Sequence, residues 1–294
     1  MTKLEGIGES ELLHRIKPYL STEGFEIPAA DDDAAVWSDG DGFLVASCDT
    51  SVEGIHFDLA WMTPEDAGWR ALALALGDLA AKGATPWWAL ISVAAPKAFA
   101  ADAFVGLYRG MDALARRVDL QVAGGDMSSI DGPAVITITV VGRTSTRPRA
   151  RSQAQPGWLV AVSGPLGGAK LALGMRRALR LEPRFAEGRR LNEAGLCCGD
   201  ISDGLVREMQ KFADMSGAGC VLRAAEVPAA DGATTEDALT SGEEVELVCT
   251  GPEDVILAAG LRPFGVLTED PGVKVVGPDG LPMSLLPRGY DHFA

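Results

Sequence analysis

The most apolar stretch of the chain, Trp69 to Pro96, carries two charges in its interior, Asp78 and Lys82. No other feature constrains the fold as much. Ala71-Leu-Ala-Leu-Ala-Leu-Gly-Asp78-Leu-Ala-Ala81 has the composition of a helix but no polar face. Such a helix has to be enclosed by other elements on every side. An ionised carboxylate inside it is strongly unfavourable unless it is paired or bound to a metal ion. The same two charges exclude a simple membrane span.

The start of this helix is written locally. Thr63 is a cap, Pro64 fits the first turn, and Glu65 and Asp66 sit at the positive helix end. Gly83 stops it after Lys82. Upstream, residues 9–20 form a helical pattern with Leu12, Leu13, Ile16 and Leu20 on one side. Asp39-Gly-Asp-Gly42 predicts a hairpin over 34–48. Downstream, the pattern predicts a strand at 87–95, a helix at 99–118 and a short strand at 120–123. A turn at Gly124-Gly125-Asp126 and a strand at 133–142 follow. Residues 144–157 are rich in Arg, Pro and Gln and break the pattern. The boundary between a domain of 1–146 and one of 147–294 is placed there. The second half predicts strands at 158–163, 245–250 and 273–276, a Gly-rich turn at 164–168 followed by a helix, and an amphipathic helix that Asp203 precedes and Gly217 ends. Mixed order of this kind is an α/β chain of the α+β type, with two domains, and not a doubly wound sheet.

A formal charge of −15, from 26 Lys+Arg against 41 Asp+Glu, argues against a broad nucleic-acid surface. Five cysteines with no Cys-x-x-Cys pair fit neither a disulfide framework nor a zinc site. No apolar leader is visible at the N-terminus, and the expectation is a reduced, cytoplasmic protein.

Aspartates gather at the ends of the expected elements: Asp32/Asp33, Asp49, Asp126 and Asp200/Asp203. Asp49, Asp126 and Asp203 read equally well as turn or helix caps. Asp78 does not, because it is mid-helix. Together the aspartates suit a hard cation such as Mg²⁺, which takes oxygen ligands and shares them with phosphate. Gly164-Pro-Leu-Gly-Gly-Ala-Lys170 follows a strand and opens a helix, but it is not a Walker A loop, and a tight turn is its simpler reading. No Gly-x-Ser-x-Gly elbow or Cys-His signature is present. His56 follows the Asp49 cluster and is either a ligand contact or a packing histidine. Trp87-Trp88 is expected in the core, and Arg147, Arg149 and Arg151 are either solvated linker charges or a phosphate clamp.

In this order the pieces resemble the thiamine-monophosphate kinase family, within the superfamily of aminoimidazole ribonucleotide synthetase. The carrying motifs are Gly8-Glu-Ser-Glu-Leu-Leu13, Asp32-Asp-Ala-Ala-Val36, Asp49-Thr-Ser-Val-Glu-Gly-Ile-His-Phe57, Gly68-Trp-Arg-Ala-Leu-Ala73 and Gly77-Asp-Leu-Ala-Ala-Lys-Gly-Ala-Thr-Pro86. Gly124-Gly-Asp126, Asp200-Ile-Ser-Asp-Gly-Leu205 and Gly289-Tyr-Asp-His-Phe293 complete the set. The resemblance implies the two-domain fold of that superfamily, with an N-terminal mixed sheet with helices and a C-terminal α/β domain. It implies ATP-dependent phosphorylation of thiamine monophosphate, several Mg²⁺ ions, a possible K⁺ requirement and a homodimer built through the N-terminal domains, with no nucleic-acid or membrane partner. It also assigns Asp33, Ser47, Asp49, Asp78, Asp126, Asp200 and Asp203 to metal, Gly125, Asp126, Arg151 and Ser202 to ATP, and His56, Glu243 and Tyr290 to the thiamine phosphate. A phosphate acceptor is already deprotonated at neutral pH, so no general base is expected. The segment Ser241-Gly-Glu-Glu-Val-Glu-Leu247 departs from the family's Gly-Gly-Glu-Asp-Tyr-Glu-Leu. This departure keeps open a superfamily kinase with another phosphorylated or carboxylated acceptor. A non-catalytic nucleotide-binding paralogue is a further alternative, against which the retained aspartates argue.

Overall fold

A computed structural model describes residues 4, 6–28, 31–285 and 289–293. The first half runs α1 (Glu9–Ile16), β1 (Ala35–Asp39), β2 (Gly42–Val52), α2 (Pro64–Ala81), β3 (Thr85–Ala95), α3 (Ala101–Arg117), β4 (Gln121–Ser129) and β5 (Val135–Thr144). Its five strands lie in the order β1-β2-β5-β3-β4. All neighbours are antiparallel except β3 and β4. The second half runs β6 (Leu159–Val162), α4 (Gly168–Gly174), α5 (Phe185–Glu193), β7 (Cys197–Asp200), α6 (Leu205–Ser216), β8 (Gly219–Arg223), α7 (Thr235–Thr240), β9 (Leu247–Gly251), α8 (Glu253–Ala258), β10 (Gly265–Thr268) and β11 (Val273–Val276). Its sheet has the order β11-β8-β10-β6-β9-β7. The chain is therefore a mixed α/β protein with two mixed sheets.

The apolar helix is α2, and its surroundings explain its composition. It packs on β2 and β5 of the first sheet, on α3 and α5, and on β7 of the second sheet. Fourteen of its residues, from Ala67 to Ala81, are buried. Thr63 caps it by accepting the Asp66 N–H at 3.1 Å. Glycines let its neighbours come close. A Cβ at Gly68 would lie 1.9 Å from the Leu107 carbonyl oxygen, and one at Gly110 equally close, 1.9 Å, to that of Glu65. On the α5 side, a Cβ at Gly188 would stand 1.8 Å from the Ala80 carbonyl oxygen.

At the C-terminal end of α2, the Lys82 ammonium donates to Asp32 Oδ2 at 2.5 Å and to the Cys198 carbonyl at 2.7 Å. The Arg151 N–H donates to the same Asp32 oxygen at 2.9 Å. Lys82 and Asp32 are both sealed from solvent. One ion pair thus joins the loop before β1, the end of α2, the connection at 151 and β7.

Several local expectations need correction. The Gly124-Gly125-Asp126 turn is not a turn: β4 runs straight through it, in parallel register with β3 from Leu90–Gly124 to Ala95–Ser129. The glycine is needed there for close approach, since a Cβ at Gly125 would fall 1.7 Å from the Ile91 carbonyl oxygen. Asp49 lies inside β2 rather than after it. The first helix ends at Ile16 and tightens into a 3-10 turn at Lys17–Tyr19, where Pro18 removes a donor. Its Leu13 and Ile16 face solvent. Trp87 is 37% exposed, with the Arg143 guanidinium 3.7 Å from its ring centre, so the tryptophan pair is not core.

The glycine seam gives a direct test. Gly68→Ala should destabilise the fold by about 1–3 kcal/mol through overpacking. Gly174→Ala, where no atom lies within 4 Å of the added carbon, should be neutral or slightly stabilising. Urea unfolding midpoints of the two variants measure the difference, and equal midpoints would contradict the close α2–α3 packing.

Candidate active site: a carboxylate cluster between the two sheets

Strand alternation brings the first ligand candidates together. Along β2, Val45, Ser47 and Ser51 are buried, with Asp49 partly buried on the same face. That face packs on α2. Ser47 donates to Asp78 Oδ2 at 2.5 Å. β7 ends against α2 at Asp200, and Gly77 leaves room for that carboxylate: a Cβ there would lie 2.5 Å from Asp200 Oδ2. Asp33 comes from the loop before β1. Ligand oxygens of Asp33, Asp78 and Asp200 lie within 4.8 Å of one another.

Three carboxylates at this separation cannot all be charged without help. Burial pushes Asp78 well above the ordinary carboxylate range, and the Asp200 and Asp33 charges push it further. Burial, with Asp33 and Glu208, raises Asp200 to about 7. Burial also works against Asp33, but the Arg151 and Lys211 charges outweigh it and hold that group at about 2. Asp200 Oδ1 is buried and has no hydrogen-bond partner. An orphaned acceptor among hard oxygen donors fits a divalent cation such as Mg²⁺.

The other expected site residues fall into three groups. Asp49 and Asp203 border the cluster: Asp49 is raised by burial and by the Asp203 charge. His56, Glu243 and Tyr290 meet in a second group. The Val52 N–H donates to His56 Nδ1 at 3.0 Å, the His56 ring stacks on His292 at 5.2 Å, and Tyr290 stands edge-on to His292 at 4.8 Å. The Tyr290 N–H donates to the Asp203 carbonyl at 3.0 Å, which ties the C-terminal segment to the cluster. Glu243, with a positive φ of 56°, pairs with the buried Arg70. Burial lowers His56, helped by the His292 charge, and raises Glu243. The third group stands apart. Gly125 and Asp126 lie on the exposed edge strand β4, three strands from β2.

Two expected nucleotide contacts are engaged inside the chain. Arg151 is fully buried, in ion pairs with Asp33 and with Glu208, the latter at 2.8 Å. Ser202 donates its hydroxyl to Glu208 Oε1 at 3.1 Å. Of the remaining linker arginines, Arg147 pairs with Glu26 at 2.7 Å and Arg149 lies over Trp158. Gly164–Lys170 holds its own carboxylate: Glu244 accepts from the Gly167 N–H at 2.9 Å and the Ala169 N–H at 3.2 Å. Sequence reasoning missed Arg70, Glu208, Lys211 and His292. Glu208 carried a readable signal, since it shares the apolar face of α6 with Leu205, Met209 and Phe212.

The family model described as "AIR synthase related protein, N-terminal domain" matches residues 31–144. That span holds the first sheet and the α2 carboxylate, and defines the class of fold. Over its whole length the chain resembles the thiamine-monophosphate kinase of Bacillus subtilis (strain 168), with 30% identity covering 97% of this chain and 99% of the relative. The thiamine-monophosphate kinase of Methanopyrus kandleri is 32% identical over 91% of this chain and 92% of its own. The solved structure "AaThiL complexed with AMPPCP and TMP" superposes with a TM-score of 0.86 at 28% identity, covering 100% of this chain and 99% of the other. The chain belongs to the thiamine-monophosphate kinase family.

The shifted carboxylates predict a pH dependence. Asp200 holds its proton up to about pH 7 in the folded state but releases it near 3.9 when unfolded. Between those values the folded state binds more protons, so stability falls as pH rises. The thermal midpoint of metal-free protein should drop from about pH 5 to about pH 8. Mg²⁺ should restore it more at the higher pH, where it no longer competes with the proton. Asp200→Asn should flatten the drop. The same pH slope in wild type and Asp200→Asn, both metal-free, would contradict the clustering.

Proposed function

We propose that this chain transfers the terminal phosphoryl group of ATP to the phosphate of thiamine monophosphate, giving thiamine diphosphate, with direct help from Mg²⁺. The supporting observation is the Asp33–Asp78–Asp200 cluster with its orphaned, buried Asp200 oxygen. Family membership supports the reaction, and so does the relative whose structure is titled as a complex with AMPPCP and TMP.

In this reading Asp33, Asp78 and Asp200 hold magnesium, with Ser47 fixing Asp78 and with Asp49 and Asp203 at the border. Bound there, Mg²⁺ supplies charge neutralisation for two phosphate groups brought into contact. No residue has to take a proton from the acceptor, which fits the lack of a nucleophile–base pair in the sequence. Arg151 acts by keeping Asp33 ionised rather than by touching nucleotide, and Ser202 acts by fixing Glu208. Gly125 and Asp126 are left for ATP, and His56, Glu243 and Tyr290 for the thiamine phosphate.

The altered 241–247 segment bears on the choice of acceptor. Of the positions that differ, Glu244 accepts from the Gly-rich turn and from the Ser241 hydroxyl, and Val245 is buried against Gly77 of α2. Glu243, which the family pattern shares, faces Arg70. The retained Glu243, with family membership, favours thiamine monophosphate over another acceptor.

The wider reading follows the same frame. Residues 1–146 are the metal- and ATP-binding domain, and 147–294 complete the substrate site. β4 offers an unpaired edge on which Val122 and Met127 are 40% and 71% exposed, and this edge suits pairing with a second copy. No helix among the described residues is long and apolar enough to cross a membrane. A cytoplasmic homodimer is the form we propose.

The test is product formation. ATP, Mg²⁺ and thiamine monophosphate should yield thiamine diphosphate by mass spectrometry, from a preparation that light scattering shows to be dimeric. Asp78→Asn should lower kcat at least about 100-fold with the fold retained, as expected for loss of several kcal/mol of charge stabilisation. Absence of product from the wild-type protein would reject the acceptor. Full activity in Asp78→Asn would reject the metal site.

A further inference from the structure

The charges around the cluster are unequally answered. Asp33, Asp49, Asp78, Asp200, Asp203 and Glu208 act on one another, and the cations Arg151 and Lys211 lie among them. Lys82 is engaged by Asp32. Arg151 is engaged by Asp33 and Glu208. The remaining cation, Lys211, belongs to α6 and stands three residues after Glu208. Its ammonium lies 2.9 Å from Asp203 Oδ2 and 3.0 Å from Glu208 Oε1. Glu208 is fully buried, and the Lys211 side chain is 19% exposed.

Asp203, Glu208 and the Ser202 hydroxyl, which bonds Glu208 Oε1 at 3.1 Å, form a corner of hard oxygen atoms. By chemistry alone this donor set would suit a second divalent cation. An ammonium already fills it. Burial opposes the charge on Lys211, but Glu208, Asp33 and Asp203 outweigh burial and hold it charged well above its usual range. A compact cation on both carboxylates repels a divalent ion from the same oxygens. Among the described residues, the carboxylates that approach within 4.8 Å of one another, Asp33, Asp78 and Asp200, leave Asp203 out.

We propose that the Lys211 ammonium takes the place of a divalent cation at the Asp203–Glu208 corner, so that the free protein assembles one tight metal site, from Asp33, Asp78 and Asp200. Lys211 is then a positioning residue. It fixes Asp203, whose carbonyl in turn holds the Tyr290 N–H. The inference deepens the magnesium reading above and rests on it. A cation built into the chain is always present, so this corner needs no free Mg²⁺ to be neutralised.

The test counts bound Mn²⁺ on the full chain without nucleotide, from the loss of the free-ion electron paramagnetic resonance signal. Wild type should bind one Mn²⁺ tightly. Lys211→Met should bind two, and Lys211→Arg, which keeps the charge, should return to one. Two tight sites in wild type would overturn the proposal, as would one site in both wild type and Lys211→Met. Near-ultraviolet circular dichroism checks that Lys211→Met is folded. If it is not, the wild-type count decides alone, one site supporting the proposal and two overturning it. No bound Mn²⁺ in any form would overturn the magnesium reading together with this one. An unchanged single site in Lys211→Met would overturn only the role of Lys211.

Discussion

The structure depends on a single ion pair that water does not reach. Lys82 at the end of α2 and Asp32 in the loop before β1 meet at 2.5 Å. Their other hydrogen bonds go to the Cys198 carbonyl in β7, the Arg149 carbonyl, and the Arg151 and Asp33 amides. Breaking such a pair by removing one partner leaves a bare buried charge, at a cost of about 3–5 kcal/mol. Its geometry also fixes where the two sheets stand relative to α2. Asp33 is the next residue after Asp32, and Asp78 is one turn before Lys82. Once the pair is made, those two carboxylates are carried to the same place, and β7 brings Asp200 to meet them.

The consequence is a site that is electrostatically incomplete by construction. Arg151 and Lys211 stabilise the charge on Asp33, while Asp78 and Asp200 are left disfavoured as anions. A protein that uses metal ions to bring two phosphate groups together gains from such a site, because the ion is drawn to oxygens that lack other partners. The internal cations set the limits of that incompleteness. In the proposed reading they decide which carboxylates are left for metal and which are already answered.

Much of this was legible in the residues, for identifiable reasons. The α2 helix carried its own cap, proline and stop, and its lack of a polar face announced that it would be enclosed. The hairpin of β1 and β2 was announced by Asp39–Gly42. Asp78 was readable as a buried carboxylate in need of partners because nothing local could explain it, and it lies within 4.8 Å of Asp33 and Asp200. Other parts depended on distant partners. Gly124-Gly125 has the composition of a turn, but pairing with β3 draws it out into a strand. The four-residue strand β7 and the similarly short β8 and β10 are too brief for an alternating pattern. Arg151 read as a solvated linker charge or a phosphate clamp, since its partners Asp33 and Glu208 are over a hundred and over fifty residues away in the chain. The roles of Glu208 and Lys211 appear only when α6 is set against the loop that carries Asp33.

The most direct measurement is anomalous diffraction from crystals grown with Mn²⁺. The account predicts a manganese peak bonded to carboxylate oxygens of Asp33, Asp78 and Asp200, including the Asp200 oxygen that otherwise has no partner. Manganese found elsewhere, with those three carboxylates bonded only to protein groups, would contradict it.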